Sequence, residues 1–314
     1  MQLAFLFPGQ GAQSEGYLRR LPGHARVRET LQEASDVLGD AVERYDRAPA
    51  LHSTVGVQLG LLVAGVAQAR VLGAEGVLPD AVAGLSVGAF GAAVACGSLE
   101  FSDALRLVRL RAQCMQDAFP RGYGMLAVSG LRHVALQGLI EQCNAGHEDS
   151  RARAYLANLN GDAQFVVAGA DARLDELGGA ARAAGARQVE RLDVAVPSHC
   201  PLLAHCGERL AEALRSLRLQ DAHVAYMANT TARALRAAHD IARDLAEGVM
   251  RPVRWNDANR LLVELGVQCV IEMPPGQALG RMVRQISCRV EVLASEETSL
   301  RSLVVRAQRA RSRQ

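Results

Sequence analysis

The stretch Ala81-Val82-Ala83-Gly84-Leu85-Ser86-Val87-Gly88-Ala89-Phe90 decides the architecture. Its first three residues are a short apolar run that reads as a buried strand, and the Ala-rich segment running on to Cys96 reads as a helix. Between them lies Gly84-x-Ser86-x-Gly88 with no spacer on either side. A strand that turns into a helix this abruptly needs glycine where a Cβ would clash. The turn exposes the serine hydroxyl at a helix N-terminus, where free N–H groups and the positive end of the dipole collect. That context is what a nucleophile elbow requires; the other reading is a Gly-rich connection without reactivity.

Working outward, residues 2–7 form an apolar strand ended by Pro8-Gly9, and Gly9-Gln10-Gly11 makes a flexible turn. Helical spacing recurs over 27–42 and 52–71, and Asp103 is expected to cap a helix that Pro120 ends. After Gly122 the pattern changes to strand 125–128, helix 134–143, strands 155–158 and 165–169, helix 172–184 and strand 189–196. That β-α-β-β-α-β order is a ferredoxin-like unit of about 70 residues. It reads as an insertion, because helix 202–217, strand 224–227, helix 256–265 and strand 269–272 resume the alternation. The expectation is an α/β protein: a parallel-sheet core from 1–121 and 195–314, with a small subdomain at 122–194.

Composition narrows the chemistry. The 314 residues carry 35 basic side chains against 33 acidic ones, and every basic one is arginine. Without lysine there is no Schiff base, no Ser–Lys dyad and no phosphate-loop lysine. A net charge of +2 gives no case for nucleic acid, and the arginines at 306, 309, 311 and 313 read as a frayed, solvated terminus. Seven cysteines without C-x-x-C read as reduced thiols, and no His/Cys spacing supports a metal site. The apolar N-terminus is too short for a signal peptide, and 59–71 is broken by Gly65, Gln68 and Arg70, so a cytoplasmic protein without a membrane span is expected.

A reactive serine needs a base. Of eight histidines, His199 is the best placed, in Val196-Pro197-Ser198-His199-Cys200 just past a strand, where sites collect in α/β proteins. At 100° per residue, the helix from Leu105 to Phe119 gathers Arg106, Arg109, Gln113, Gln116 and Asp117 in one polar arc. Arg111 instead projects from the apolar arc, between Ala118 and Met115. A buried guanidinium must meet an anion. The partner is either a buried Asp or Glu, or a carboxylate that arrives with the substrate.

These residues occur together in a known order: Phe7-Pro8-Gly9-Gln10-Gly11-Ala12-Gln13, the elbow at Ser86, Arg111, Asn158-Leu159-Asn160, Pro197-Ser198-His199-Cys200, Pro252-Val253-Arg254-Trp255 and Glu272-Met273-Pro274-Pro275-Gly276. Across nearly the whole chain they resemble the malonyl-CoA:acyl-carrier-protein transacylase family. The resemblance implies an α/β-hydrolase-like core with a ferredoxin-like insertion. It makes Ser86 the nucleophile, His199 its base, and the amides of Gln10 and Val87 the oxyanion hole. Arg111 would hold the free malonyl carboxylate, with Gly9, Gln10, Asn158 and Asn160 beside the substrate. The histidine would be oriented by a backbone carbonyl at Gly248, where the family commonly has glutamine. No cofactor is implied; a CoA thioester is the donor and the prosthetic-group thiol of a carrier protein the acceptor.

The elbow departs from the family in having Leu85 for the usual His and Ala89 for the usual Glu. The Leu85–Phe90 run and Arg121-Gly122-Tyr123-Gly124-Met125 look similar to the epsilon subunit of bacterial malonate decarboxylase, which charges that enzyme's own carrier subunit. This is the preferred expectation, with the fatty-acid or polyketide transacylase as the alternative. A serine esterase or thioesterase, or a non-catalytic scaffold subunit, would share the fold without needing Arg111.

Overall fold

The computed structural model describes residues 1–119 and 121–312. The chain opens with β1 (Leu3–Phe7), α1 (Ala25–Leu38) and α2 (Thr54–Ala74); β2 (Ala81–Gly84) then turns straight into α3 (Gly88–Ala95), and α4 (Phe101–Ala118) follows. A second unit comprises β3 (Tyr123–Ser129), α5 (His133–Asn144), β4 (Ala154–Gly161), β5 (Gln164–Ala170), α6 (Asp171–Ala183) and β6 (Gln188–Arg191). The chain returns through α7 (Ala204–Arg215), β7 (Ala225–Met227), β8 (Ala234–Leu235), α8 (Ala238–Glu247), α9 (Trp255–Glu264), β9 (Cys269–Glu272), α10 (Ala278–Ile286), β10 (Glu291–Ala294) and α11 (Leu300–Ser312).

The larger sheet has the order β10-β9-β1-β2-β7-β8, parallel except for β8. Its central strands are buried along their whole length and, apart from Glu272 at the end of β9, apolar, as strands covered on both faces must be. Phe7 lies opposite Gly84, so the loops after β1 and β2 leave from one carboxyl-terminal edge, where α/β sheets place their ligands. The smaller sheet is antiparallel in the order β4-β5-β3-β6. One face packs Leu126, Val128, Phe165 and Val167 against α5 and α6. The other turns Met125, Val166 and Ala168 toward Cys200. β4 is tied to the segment leading into α9, where Leu159 N–H donates to Val253 O (2.9 Å) and Val253 N–H donates to Ala157 O (2.8 Å).

Several expectations need correction. The strand expected over 189–196 ends early: β6 pairs with β3 over 188–191, Leu192 N–H makes one more bond to Met125 O (3.0 Å), and Leu192 and Val194 line a cavity. Asp103 is not the cap of α4 but lies in its first turn, where it pairs with Arg106; Glu100 holds the cap position. Pro120, read as that helix's terminator, lies outside the described residues. The helix read over 27–42 ends at Leu38, with Gly39 left-handed at φ 68°, and residues 42–46 form a separate 3-10 turn. The basic C-terminal run, up to residue 312, is not frayed but helical. Leu303, Ala307 and Ala310 recur at helical spacing, are buried, and bring α11 against β1 and β9 while its arginines stay outside. Helix α2 is long and apolar enough to cross a membrane, but most of it is buried inside the chain, packed on α1, α3 and α4.

Candidate active site

The elbow is built by close approach. Ser86 sits at φ 56°, a left-handed conformation that is strained for a residue with a side chain. A Cβ at Gly84 would lie 2.1 Å from the Gly88 carbonyl carbon, and one at Gly88 would lie 2.2 Å from Phe7 O. The loop after β1 presses equally close, since a Cβ at Gly9 would meet Leu85 O at 2.8 Å. The glycines therefore let three backbone segments touch, and the serine projects from their meeting point.

Two cationic or basic side chains converge on that hydroxyl. His199 Nε2 is 2.8 Å from Ser86 Oγ, and Arg111 Nη2 donates to the same oxygen at 3.1 Å. The other face of the imidazole, Nδ1, is 2.5 Å from Gly248 O. A carbonyl can only accept, so Nδ1 carries the proton and Nε2 is free to accept from Ser86. His199 also has a left-handed backbone, at φ 63°, held by its N–H donating to Val249 O at 2.8 Å. Burial and then the Arg111 charge push its pKa down to about 3, against a smaller upward pull from the Gly248 bond. The imidazole is thus neutral and able to take a proton. Among the described residues no carboxylate bonds to it. Asp244, buried nearby in the fold, gives both its oxygens to Tyr226, Asn229 and Thr230.

Arg111 is 2% exposed, as its position on the apolar arc of α4 predicts. Its Nη1 donates to Gln58 Oε1 at 2.6 Å, and among the described residues it forms no ion pair. Burial lowers its pKa to about 10, which leaves it charged at neutral pH. Among the described residues no buried Asp or Glu neutralises this cation. Its second nitrogen is directed at the Ser86 hydroxyl.

Ser86 and His199 line a cavity of about 120 Å³, together with Gly9, Gln10, Asn158 and Asn160. Met115, Met125, Leu192 and Val194 supply its apolar side. Asn160 Oδ1 is buried without a partner and so remains available as an acceptor. The N–H groups of Gln10 and Val87, beside the serine, have no acceptor among the described residues. All the residues singled out from the sequence come together here, Gly248 by its carbonyl. Missed were Gln58 and Asn229. Gln58 is a polar residue inside apolar α2, the same kind of signal that exposed Arg111. Asn229 lies two residues past β7, at the carboxyl-terminal edge of the sheet. The arrangement can attack a carbonyl through serine, receive its proton on histidine, and hold an anionic group on the acyl fragment.

Comparison with known proteins bears on this geometry. The chain matches the acyl transferase domain family over residues 4–308. It is 34% identical to the malonyl CoA-acyl carrier protein transacylase of Haemophilus influenzae over 91% of its own length and 92% of that protein. It is 33% identical to the Escherichia coli K12 protein of the same name, over 95% and 97% of the two chains. Among solved structures, the acyl-carrier-protein S-malonyltransferase of Burkholderia pseudomallei superposes with a TM-score of 0.90 at 33% identity, covering 98% of this chain and all of that one. A malonyl-transacylase solved in complex with its type II PKS acyl-carrier protein superposes at 0.91 with 31% identity, over 98% and 100%. The chain therefore belongs to the acyl transferase domain family, among its malonyl CoA-acyl carrier protein transacylases.

Proposed function

We propose that this protein transfers a malonyl group from malonyl-CoA to the prosthetic-group thiol of an acyl carrier protein through a malonyl-serine. The observation that carries the reading is Arg111: a buried cation with no carboxylate partner among the described residues, 3.1 Å from the hydroxyl that would receive the acyl group. As Ser86 Oγ bonds to the thioester carbon, its proton passes to His199 Nε2. The carbonyl oxygen, now anionic, accepts from the amides of Gln10 and Val87, each such donor being worth about 10²–10³ in rate. The C–S bond then breaks, and the departing CoA sulfur takes the proton from His199. In the second half the carrier thiol gives its proton to His199 and attacks the malonyl-serine, and Ser86 recovers a proton as it leaves. Arg111 holds the malonyl carboxylate throughout, with Gly9, Asn158 and Asn160 along the acyl group. Gly248 O fixes the imidazole tautomer.

A serine esterase or thioesterase is disfavoured, because the base is oriented by a carbonyl and a buried cation that hydrolysis does not need bonds to the serine hydroxyl. The same reading divides the chain into an α/β-hydrolase-like core, 1–121 with 195–314, and a ferredoxin-like subdomain, 122–194. The strand order β4-β5-β3-β6 supports that division. A cytoplasmic setting goes with it. The relatives are named for acyl carrier proteins in general, so a fatty-acid or polyketide carrier is the first acceptor to consider. The malonate decarboxylase carrier subunit is a second reading, favoured by Leu85 and the buried Ala89 at the elbow. Incubation with malonyl-CoA followed by intact-mass measurement tests the proposal. A malonyl adduct absent from Ser86→Ala, and discharged faster by a carrier thiol than by water, is expected. Discharge to one carrier type and not the other assigns the acceptor, and release of free malonate as the main product refutes transfer.

A further inference from the structure

The strained elbow is gripped from behind by a residue that plays no part in the chemistry described above. Asn229 Oδ1 accepts from Ser86 N–H at 3.0 Å, and Asn229 Nδ2 donates to Gly84 O at 2.8 Å. A backbone N–H can only donate and a carbonyl can only accept, so the amide has one orientation here. The two bonds straddle the turn, one on each side of Leu85. Asn229 is itself fixed at every polar atom: its N–H donates to Asp244 Oδ2 at 3.0 Å and its carbonyl accepts from Arg254 N–H at 2.8 Å. It is 4% exposed and does not line the cavity.

Asp244 gives this clamp its reach. Besides Asn229 N–H, its carboxylate accepts from Tyr226 OH (2.9 Å), Thr230 N–H (2.9 Å) and Thr230 Oγ1 (2.7 Å). Its own carbonyl accepts from Gly248 N–H at 2.8 Å, and Gly248 O is the atom that orients His199. Serine and histidine are thus both referred to one turn of α8, the serine through Asn229 and the histidine through Gly248. Strain at φ 56° persists only where the surroundings over-determine it, and this network does so from outside the substrate's space.

We propose that Asn229 is a positioning residue: it holds Ser86 Oγ at attack distance and angle, and Asp244 holds Asn229. The inference rests on Ser86 being the nucleophile. Asn229→Ala removes both bonds. Asn229→Asp is isosteric, keeps an acceptor for Ser86 N–H and loses the donor to Gly84 O. Acylation of the full-length protein by malonyl-CoA is followed by rapid quench and intact mass. The amplitude then gives the folded, competent fraction and the rate constant gives the geometry.

The expected result is a near-full amplitude with a saturated acylation rate constant lowered on the order of 10–100-fold in Asn229→Ala, since a misplacement of about 1 Å costs roughly that much. Asn229→Asp should fall between that and wild type. Half-saturation should stay within about twofold, as expected for a residue that contributes no substrate contact. A purely structural role would instead lower amplitude and leave the rate constant unchanged, and that result overturns the proposal. If Asn229→Ala does not fold, Asn229→Asp decides alone, a wild-type rate constant overturning it. A wild-type protein that forms no malonyl-serine overturns the functional reading and this inference together. Normal wild-type acylation matched by both variants overturns only this one.

Discussion

Replacing Arg111 with Ala, and with Met to keep the volume filled, probes the functional reading most directly. Burial lowers the guanidinium's pKa from 12.5 to about 10. At about 1.4 kcal/mol per tenfold change, that is an uncompensated cost of about 3 kcal/mol. Gln58 Oε1 and Ser86 Oγ, its two partners, are neutral and do not offset it. A malonyl carboxylate does, and breaking such a buried pair costs about 3–5 kcal/mol. Malonyl acylation in Arg111→Ala should therefore fall by about 10²–10⁴ in kcat/KM, while acetyl-CoA, with no carboxylate to pair, should acylate Ser86 as well as in wild type or better. Arg111→Met should melt at or above the wild-type temperature, because a buried unpaired charge has been replaced by apolar volume. The assay is single-turnover acylation with each thioester beside a thermal melt. Equal losses with the two acyl groups would refute the argument, since Arg111 would then be supporting the fold or the serine and not the carboxylate.

Three further outcomes are expected. Because burial and the Arg111 charge push the His199 pKa down to about 3, the acid limb of the acylation pH profile should lie well below the 6.5 of a free histidine. Arg111→Met should move the limb upward, and a wild-type limb at 6–7 would contradict the assignment. The same depressed pKa makes the unfolded state the better proton binder between about 6.5 and 3, so the His199 contribution to stability is lost as pH falls through that window. Gly88→Ala places a Cβ 2.2 Å from Phe7 O, a rigid backbone atom, so β1 and the elbow must separate. Loss of acylation and a drop in stability of roughly 2–4 kcal/mol are expected from chemical denaturation, and wild-type values in both would show that the turn has slack.

The parts legible from sequence were those encoded locally. The elbow could be read because strand and helix abut with glycines between them, and Arg111 because a single charge stood on the wrong side of an otherwise amphipathic helix. Gln58 carried the same kind of signal but sits in α2, which is buried nearly all round, so no polar arc set it apart. Asn229 lies 143 residues from Ser86, and the parallel pairing of β2 with β7 brings them together, which no local pattern reports. The 189–196 alternation reads as one long strand because Leu192 and Val194 are apolar for a different reason: they line the cavity beyond the end of β6 at Arg191. Helices α8 and α11 are not legible because their dense charges obscure short apolar stripes, and β8 is only two residues long.

The paired bonds at Val253 tie β4 to the segment leading into α9. The wall that bears Asn158 and Asn160 cannot swing away from the floor that bears Ser86 without breaking both. The gap between them acts as a fixed gauge, set before any thioester arrives. On the proposed function, acyl groups are sorted by whether they fit beneath that wall, and the adjustable parts of the gauge are the unbranched side chains of Met115 and Met125, which can change rotamer without moving either sheet.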